Sequence, residues 1–191
     1  HKDSSHITIG YFGNLRGATE IDMLITTVEA AQESGRDIRI SFAGAGPQAE
    51  RVAGLAKTKS FIKLRGVYDY LEERDELYGS ADLIYAVYPQ DLPNNRFHIA
   101  RRFQESVHLG IPIVVAGGSY MADITKESGV GWSVNSQRPD ELKNLLYRLY
   151  DDRSLLKECT EASRSVRHEY EFETYAPPLL EILDRYSRNS N

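Results

Sequence analysis

Arg101-Arg102-Phe103-Gln104-Glu105-Ser106-Val107-His108-Leu109-Gly110-Ile111-Pro112-Ile113-Val114-Val115 is the stretch that decides the architecture. A helix is expected from about Ala100 to Leu109, and Gly110 offers the left-handed residue at which helices commonly stop. The run from Ile111 to Ala116 begins at once and is apolar throughout. A strand with one wet face would alternate, so this one belongs in the middle of a sheet covered on both sides.

The same helix and strand rhythm extends outward in both directions. Upstream, Ile7 to Phe12 reads as a buried strand ending in Gly13, and Ile21, Leu24, Ile25, Val28 and Ala31 recur at helical spacing between a Thr19 N-cap and Gly35. Ile38, Ile40 and Phe42 alternate into Ala43-Gly44-Ala45-Gly46-Pro47, after which Val52, Leu55 and Ala56 mark a helix. Ile62 and Leu64 suggest a third strand, Leu71 to Tyr78 a short helix, and Leu83 to Val87 a fourth strand that leads into a polar loop from Gln90 to Asn95. Downstream, Gly117-Gly118 turns into a helix at Met121 to Glu127, Gly131 to Val134 is the last strand, and Pro139 to Tyr150 and Leu155 to Tyr170 read as helices. Ser187 to Asn191 reads as a frayed tail. Strands and helices in this alternation require right-handed crossovers, which give a mostly parallel sheet of about six strands with helices on both faces.

A chain of 191 residues with 41% hydrophobic and 27% charged residues is sized for one domain with one core. Its net charge of -5 offers no general footprint for nucleic acid, so any anion site must be local. The single cysteine, Cys159, has no internal partner and points to a reducing, cytoplasmic setting. No stretch approaches the roughly 18 apolar residues of a membrane span, and His1 to His6 is too polar for a signal peptide. The chain starts almost directly in a core strand, as a cut inside a longer protein would.

Ligands of such sheets bind beyond the carboxyl ends of the strands, which selects the loops Gly13 to Gly17, Gly44 to Pro47, Gly66 to Tyr70, Tyr88 to Asn95 and Gly117 to Tyr120. Gly13-Asn14-Leu15-Arg16-Gly17 joins a strand to a helix N-terminus, where free N–H groups and the helix dipole favour an anion and Arg16 adds a bidentate donor. The other reading of this loop is a glycine turn with a solvated arginine. Gly44-Ala45-Gly46-Pro47 lacks the third glycine of the dinucleotide fingerprint, and reads either as close backbone approach to a nucleotide or as a tight turn. Glu105 faces the same end of the sheet and suits a ribose diol, the alternative being a surface ion pair with Arg101 or Arg102.

The order of these elements is similar to the C-terminal domain of GT-B glycosyltransferases, above all the large retaining group that includes sucrose synthases and many bacterial polysaccharide enzymes. The resemblance runs from about Ile7 to Tyr186 and is carried by Tyr11 to Gly17, Ser41 to Pro47, Ile62 to Val67, Leu77 to Leu83, Glu105 to Val114 and Gly129 to Trp132. It implies a Rossmann-like three-layer α/β/α fold and a single domain, residues 1–191, that forms the donor half of a longer enzyme whose N-terminal acceptor domain is absent. It implies sugar transfer from a nucleoside-diphosphate sugar to an acceptor hydroxyl, in polysaccharide or glycoconjugate biosynthesis, by a fragment inactive on its own. The implied site holds the diphosphate at Gly13, Asn14, Arg16, Gly17 and Arg102, the base beside Val67, Tyr68 and Tyr70, and the ribose at Glu105.

This sequence departs from the family in one telling place. The family carries a second glutamate eight positions before the ribose-binding one, near the donor sugar, and here that position is Phe97. Asp91, Asn94 or Asn95 would have to serve instead, and Arg102 stands where many relatives place a lysine. The competing expectation is a non-catalytic nucleotide- or phosphate-binding module of the same fold.

No cofactor and no metal are expected: His98 and His108 lack a second ligand at metal spacing and read as surface or packing residues. The sugar nucleotide and the missing domain are the expected partners, with peripheral membrane association only through that domain. Tyr147, Tyr150, Tyr170, Tyr175 and Tyr186 are expected to pack against the sheet or the missing domain, and Cys159 to fill space.

Overall fold

A computed structural model describes residues 5–188. Most of the tail expected at Ser187 to Asn191, and most of the polar start, lie outside the described residues, as does the side chain of Tyr175. The element order is β1 (Ile7–Phe12), α1 (Ala18–Glu33), β2 (Ile38–Ala43), α2 (Ala49–Thr58), β3 (Ile62–Leu64), α3 (Tyr70–Gly79), β4 (Leu83–Ala86) and α4 (Pro93–Phe97). Then come α5 (Arg101–Leu109), β5 (Ile113–Ala116), α6 (Tyr120–Ser128), β6 (Gly131–Val134), α7 (Pro139–Asp151), α8 (Ser154–Val166), a 3-10 turn (Arg167–Tyr170) and α9 (Phe172–Arg188).

The strands form one sheet in the order β3-β2-β1-β4-β5-β6, and every pairing in it is parallel. Period-two alternation sends side chains to two cores. Ile7, Ile9 and Tyr11 of β1, Tyr85 of β4 and Val114 of β5 pack with α1, α2 and α7 on one face. Phe12, Ile84, Ile113 and Val115 pack with α3, α5 and α6 on the other. β5 is buried at all four positions, as its apolar run requires. Each fully buried aliphatic side chain of this kind contributes about 1.5–3 kcal/mol. The three-layer Rossmann-like architecture is thus centred on β4 and β5, which have no wet face, while the edge strands β3 and β6 are partly exposed.

Beyond shifts of one or two residues at element ends, such as β5 starting at Ile113 and not Ile111, the structure departs from the sequence reading in four places, each for a local reason. Gly17, not Thr19, is the N-cap of α1, and no side-chain hydrogen bond caps that helix. The stretch expected to be a loop at Gln90–Asn95 contains the start of α4, with Pro93 in the first turn, where a missing N–H costs nothing. That helix is too short and too polar to show an apolar period, and Asn95 Nδ2 (2.7 Å to the Pro89 carbonyl) and Arg96 Nε (3.1 Å to the Gln90 carbonyl) hold it. The helix expected through Tyr170 tightens into a 3-10 turn after Val166. Finally, α9 runs through Pro177 and Pro178, residues that argue against a helix in sequence, and exposes Leu179, Ile182, Leu183 and Tyr186. Tyr186 therefore does not pack on the sheet, whereas Tyr147, Tyr150 and Tyr170 do pack against the two cores.

Candidate functional site

The strand order reverses between β1 and β4, and there the loops at the carboxyl ends diverge and leave a crevice. Backbone hydrogen bonds stitch three loops together at this point. Gly13 N donates to the Ala43 carbonyl (2.8 Å), Leu15 N to the Ala45 carbonyl (2.8 Å), Gln48 N to the Leu15 carbonyl (2.9 Å) and Gly44 N to the Gly66 carbonyl (2.7 Å). Gly44 has φ +125, and a Cβ there would lie 1.9 Å from the Gly13 carbonyl oxygen; one at Gly46 would lie 2.6 Å from that of Leu15. Neither sequence reading of Gly44-Ala45-Gly46 anticipated this. The glycines make room for the β1–α1 loop, which rests on them.

Arg102, in the first turn of α5, reaches back under that loop. It is buried at 6% exposure, its Cζ sits 4.0 Å from the centre of the Tyr11 ring, and it donates to the carbonyls of Tyr85 (3.3 Å) and Asn14 (3.2 Å). A guanidinium has five N–H groups, so donors remain after these bonds. Among the described residues, no carboxylate pairs with it. Burying an unpaired cation is expensive, and the usual resolution is a counter-anion.

Glu105 lies one helical turn further along α5, buried at 7% exposure. Its Oε2 accepts the Tyr78 hydroxyl, and its Oε1 is buried without a hydrogen-bond partner. The alternative of a surface pair with Arg101 or Arg102 is not what forms: the carboxylate is inside, and its partner is a phenol. Burial, reinforced by the bond to Glu105, holds the Tyr78 hydroxyl above the ordinary tyrosine range.

A cavity of about 230 Å³ joins these groups, lined by Gly13, Asn14 and Arg16 on one side, Tyr68, Tyr70, Tyr78 and Tyr88 on another, and Arg101, Arg102 and Glu105 on α5. Arg16 is exposed and makes no ion pair with a described residue. The guanidinium of Arg101 lies 4.9 Å from the centre of the Tyr70 ring. Gly17 sits behind the loop as the cap of α1, and Val67 projects outward at 78% exposure. Asp91 lines a separate cavity of about 730 Å³ with Gln90, Arg96, Gly117 and Gly118, and Asn94, Asn95 and Phe97 line neither. Several larger grooves exist, but among the described residues only this one sets an unpaired buried cation and an unpartnered carboxylate oxygen around one space.

Sequence reasoning missed Tyr11 and Tyr78. Tyr11 and Tyr78 occupy positions indistinguishable from core, and only the fold shows that their far ends meet the charges of α5. His98 packs its ring edge against Tyr88 (5.1 Å between centres), and His108 is exposed. Cys159 is buried, and burial pushes its thiol up to about 11, which keeps it protonated and unreactive near neutrality. Among the described residues, no group of three or more His, Cys, Asp and Glu is placed to hold a metal ion, and no helix is long and apolar enough to cross a membrane.

The sequence profile of the glycosyl transferases group 1 matches residues 1–166. The chain belongs to that family. Solved structures share its fold. TarM from S. aureus, solved with fondaparinux, α-GlcNAc-glycerol and UDP, superposes at TM-score 0.73 with 14% identity over 93% of this chain and 35% of its own. HepE from Anabaena, solved with UDP and glucose, gives 0.73 with 15% identity over 94% of this chain and 48% of its own. The C-terminal domain of LpcC from Francisella tularensis, a group 1 family protein, gives 0.65 with 16% identity over 87% of each chain. The group 1 domain thus spans about a third of TarM and half of HepE, but most of the LpcC domain. No curated protein matches it significantly.

Proposed function

We propose that this domain binds the nucleoside-diphosphate part of a sugar nucleotide and, joined to an N-terminal acceptor domain, transfers a hexosyl group to an acceptor hydroxyl in polysaccharide or glycoconjugate synthesis. The observation that carries the reading is the pairing of Arg102 and Glu105 around one cavity: a buried cation without a carboxylate and a buried carboxylate oxygen without a donor. A nucleoside diphosphate answers both, its phosphates facing Arg102 and its ribose hydroxyls facing Glu105.

Each loop then has a role. Asn14 and Gly17 offer N–H groups and a helix N-terminus to the diphosphate, Gly13, whose own N–H is held by the Ala43 carbonyl, lets the loop approach it closely, Arg16 closes over it from solvent, and charge that develops on the leaving phosphate is stabilised by groups already in place. Val67, Tyr68 and Tyr70 border the base, which finds a stacking surface in the Tyr70 and Arg101 pair. Asp91, Asn94 and Asn95, which the resemblance assigns to the donor sugar, lie outside this cavity and would meet that sugar only where it extends beyond it toward the absent half. The cavity's small volume, below the roughly 300–1,000 Å³ of complete ligand pockets, suits one wall of a cleft. The exposed apolar stripe of α9 suits a contact with that second half. No metal or cofactor is required in this scheme, the chain is placed in the cytoplasm with any membrane contact made by the other domain, and the isolated domain turns over no substrate.

Phe97 favours a second reading, a nucleotide-binding module without transfer chemistry, because it is 77% exposed where the resemblance expects a carboxylate. Calorimetric titration with UDP, GDP, ADP and their sugars addresses both. Binding of a diphosphate, weakened several-fold by Arg16→Ala while the free nucleoside is unaffected, supports the site. A folded chain that binds none of them at millimolar concentration sinks it. Sugar nucleotides that bind no better than the bare diphosphate, even with the N-terminal half restored, favour the second reading.

A further inference from the structure

We infer that Tyr78 is a positioning residue that aims Glu105, and that through this aim the cavity selects ribonucleotides over their deoxy counterparts. The inference rests on the donor-site reading above, but the contact itself is independent of it. Tyr78 is 1% exposed, and its hydroxyl reaches Glu105 from a different helix.

α3 is well anchored for this task. Asp69 caps it by accepting from Leu71 N (2.9 Å) and Glu72 N (3.1 Å), and the Glu73 carboxylate reaches back to Asp69 N (2.7 Å). The rotation of the helix is therefore fixed, and about two turns later Tyr78 faces α5. Its ring lies edge-on against Phe12, 5.0 Å between centres, which leaves the hydroxyl little freedom. The phenol has a single proton and gives it to Oε2. Because burial and the neighbouring carboxylate hold that hydroxyl above the ordinary tyrosine range, it is a donor near neutral pH.

A carboxylate on a long side chain turns about its last bond. Glu105 lines the cavity, and with Oε2 held by Tyr78 its Oε1 is left buried just behind that wall without a donor. A ribose hydroxyl can satisfy it, and a ribose lacking both hydroxyls leaves it orphaned, a loss with the size of a hydrogen bond to a charged group. Without the Tyr78 hydroxyl the carboxylate is free to turn away, and the selectivity should go while base and phosphate contacts stay.

The test is calorimetry of wild type and Tyr78→Phe with UDP, ADP and GDP and with the 2′,3′-dideoxy form of each. Wild type should prefer the ribo form by about tenfold or more. In Tyr78→Phe the preference should fall to about threefold or less, with dideoxy affinity unchanged. A merely structural role would weaken both forms together; that result, or an unchanged preference, overturns the inference. If the phenylalanine variant does not fold, 4-fluorophenylalanine at position 78 fills the hydroxyl's volume without a proton to donate and carries the same expectation. Wild type that binds no nucleotide removes the donor-site reading and this inference with it, whereas wild type that binds both forms equally removes this inference alone.

Discussion

Two arginines in this domain stack on tyrosine rings at nearly the same distance, Arg36 at 4.2 Å from the centre of Tyr147 and Arg102 at 4.0 Å from that of Tyr11. Around them everything else differs. Arg36 is on the surface, where its Nε and one terminal nitrogen grip both oxygens of Asp151 (3.1 and 2.9 Å) and the other donates to Ser34 (3.1 Å). Arg102 is inside, bonded to two backbone carbonyls and to no carboxylate. The first arginine is complete within the chain; the second is complete only with something added. A charge whose partner is missing from the fold is a better pointer to a ligand than a charge, a stacked ring or a large groove alone.

The contrast is most severely tested by removing the platform under which Arg102 lies. Gly44→Ala puts a methyl group against the Gly13 carbonyl and forces a left-handed residue, at a combined cost of about 3–5 kcal/mol. That is a large part of the roughly 5–15 kcal/mol that holds a domain together. The melting temperature should fall by about 10 °C or more, measured by differential scanning calorimetry. A drop of only a degree or two would mean that the β1–α1 loop does not rest on Gly44 as described.

Arg102→Met comes next, and here the effect should divide between stability and binding. Two carbonyls lose a donor, while an unpaired buried charge is relieved, so stability should change by only about 1–2 kcal/mol. Diphosphate affinity should fall about 10- to 100-fold, the size of lost charge-assisted bonds. Equal losses in melting temperature and binding would assign Arg102 to the scaffold instead.

Most of the fold was legible because its patterns are strong: β5 is apolar at every position, and all six strands form at the apolar runs and alternating stretches that mark them in the sequence. α4 and α9 were not legible, the first because Pro93–Phe97 is too short to repeat, the second because a proline pair masks an otherwise amphipathic run. Around the candidate site, Gly13, Arg16, Tyr68, Arg102 and Glu105 were read from loop position and resemblance and do meet at one cavity. Tyr78 and Tyr11 could not be read that way. Their sequence context is that of core residues, and what distinguishes them is a long-range meeting with α5 that local pattern does not encode. Asp91, expected toward the donor sugar, lines a different cavity with Gly117 and Gly118.

The smallest effect belongs to the arginine that is already complete. Arg36→Met should leave nucleotide affinity untouched and lower the melting temperature only slightly, as exposed pairs do. Its pH dependence identifies the source. The Arg36 guanidinium beside Asp151 holds that carboxyl below the ordinary aspartate range, so the unfolded chain takes up the proton first as pH falls. The pair's contribution is therefore whole above about pH 4, the unfolded value, and is lost as pH falls through the lower folded one. Melting curves of wild type and Arg36→Met should differ slightly at neutral pH and converge as the solution is acidified below that point. A difference that persists in acid would have to come from the ring stacking on Tyr147, not from the ion pair, and would show that the two arginines share more than the geometry of their rings.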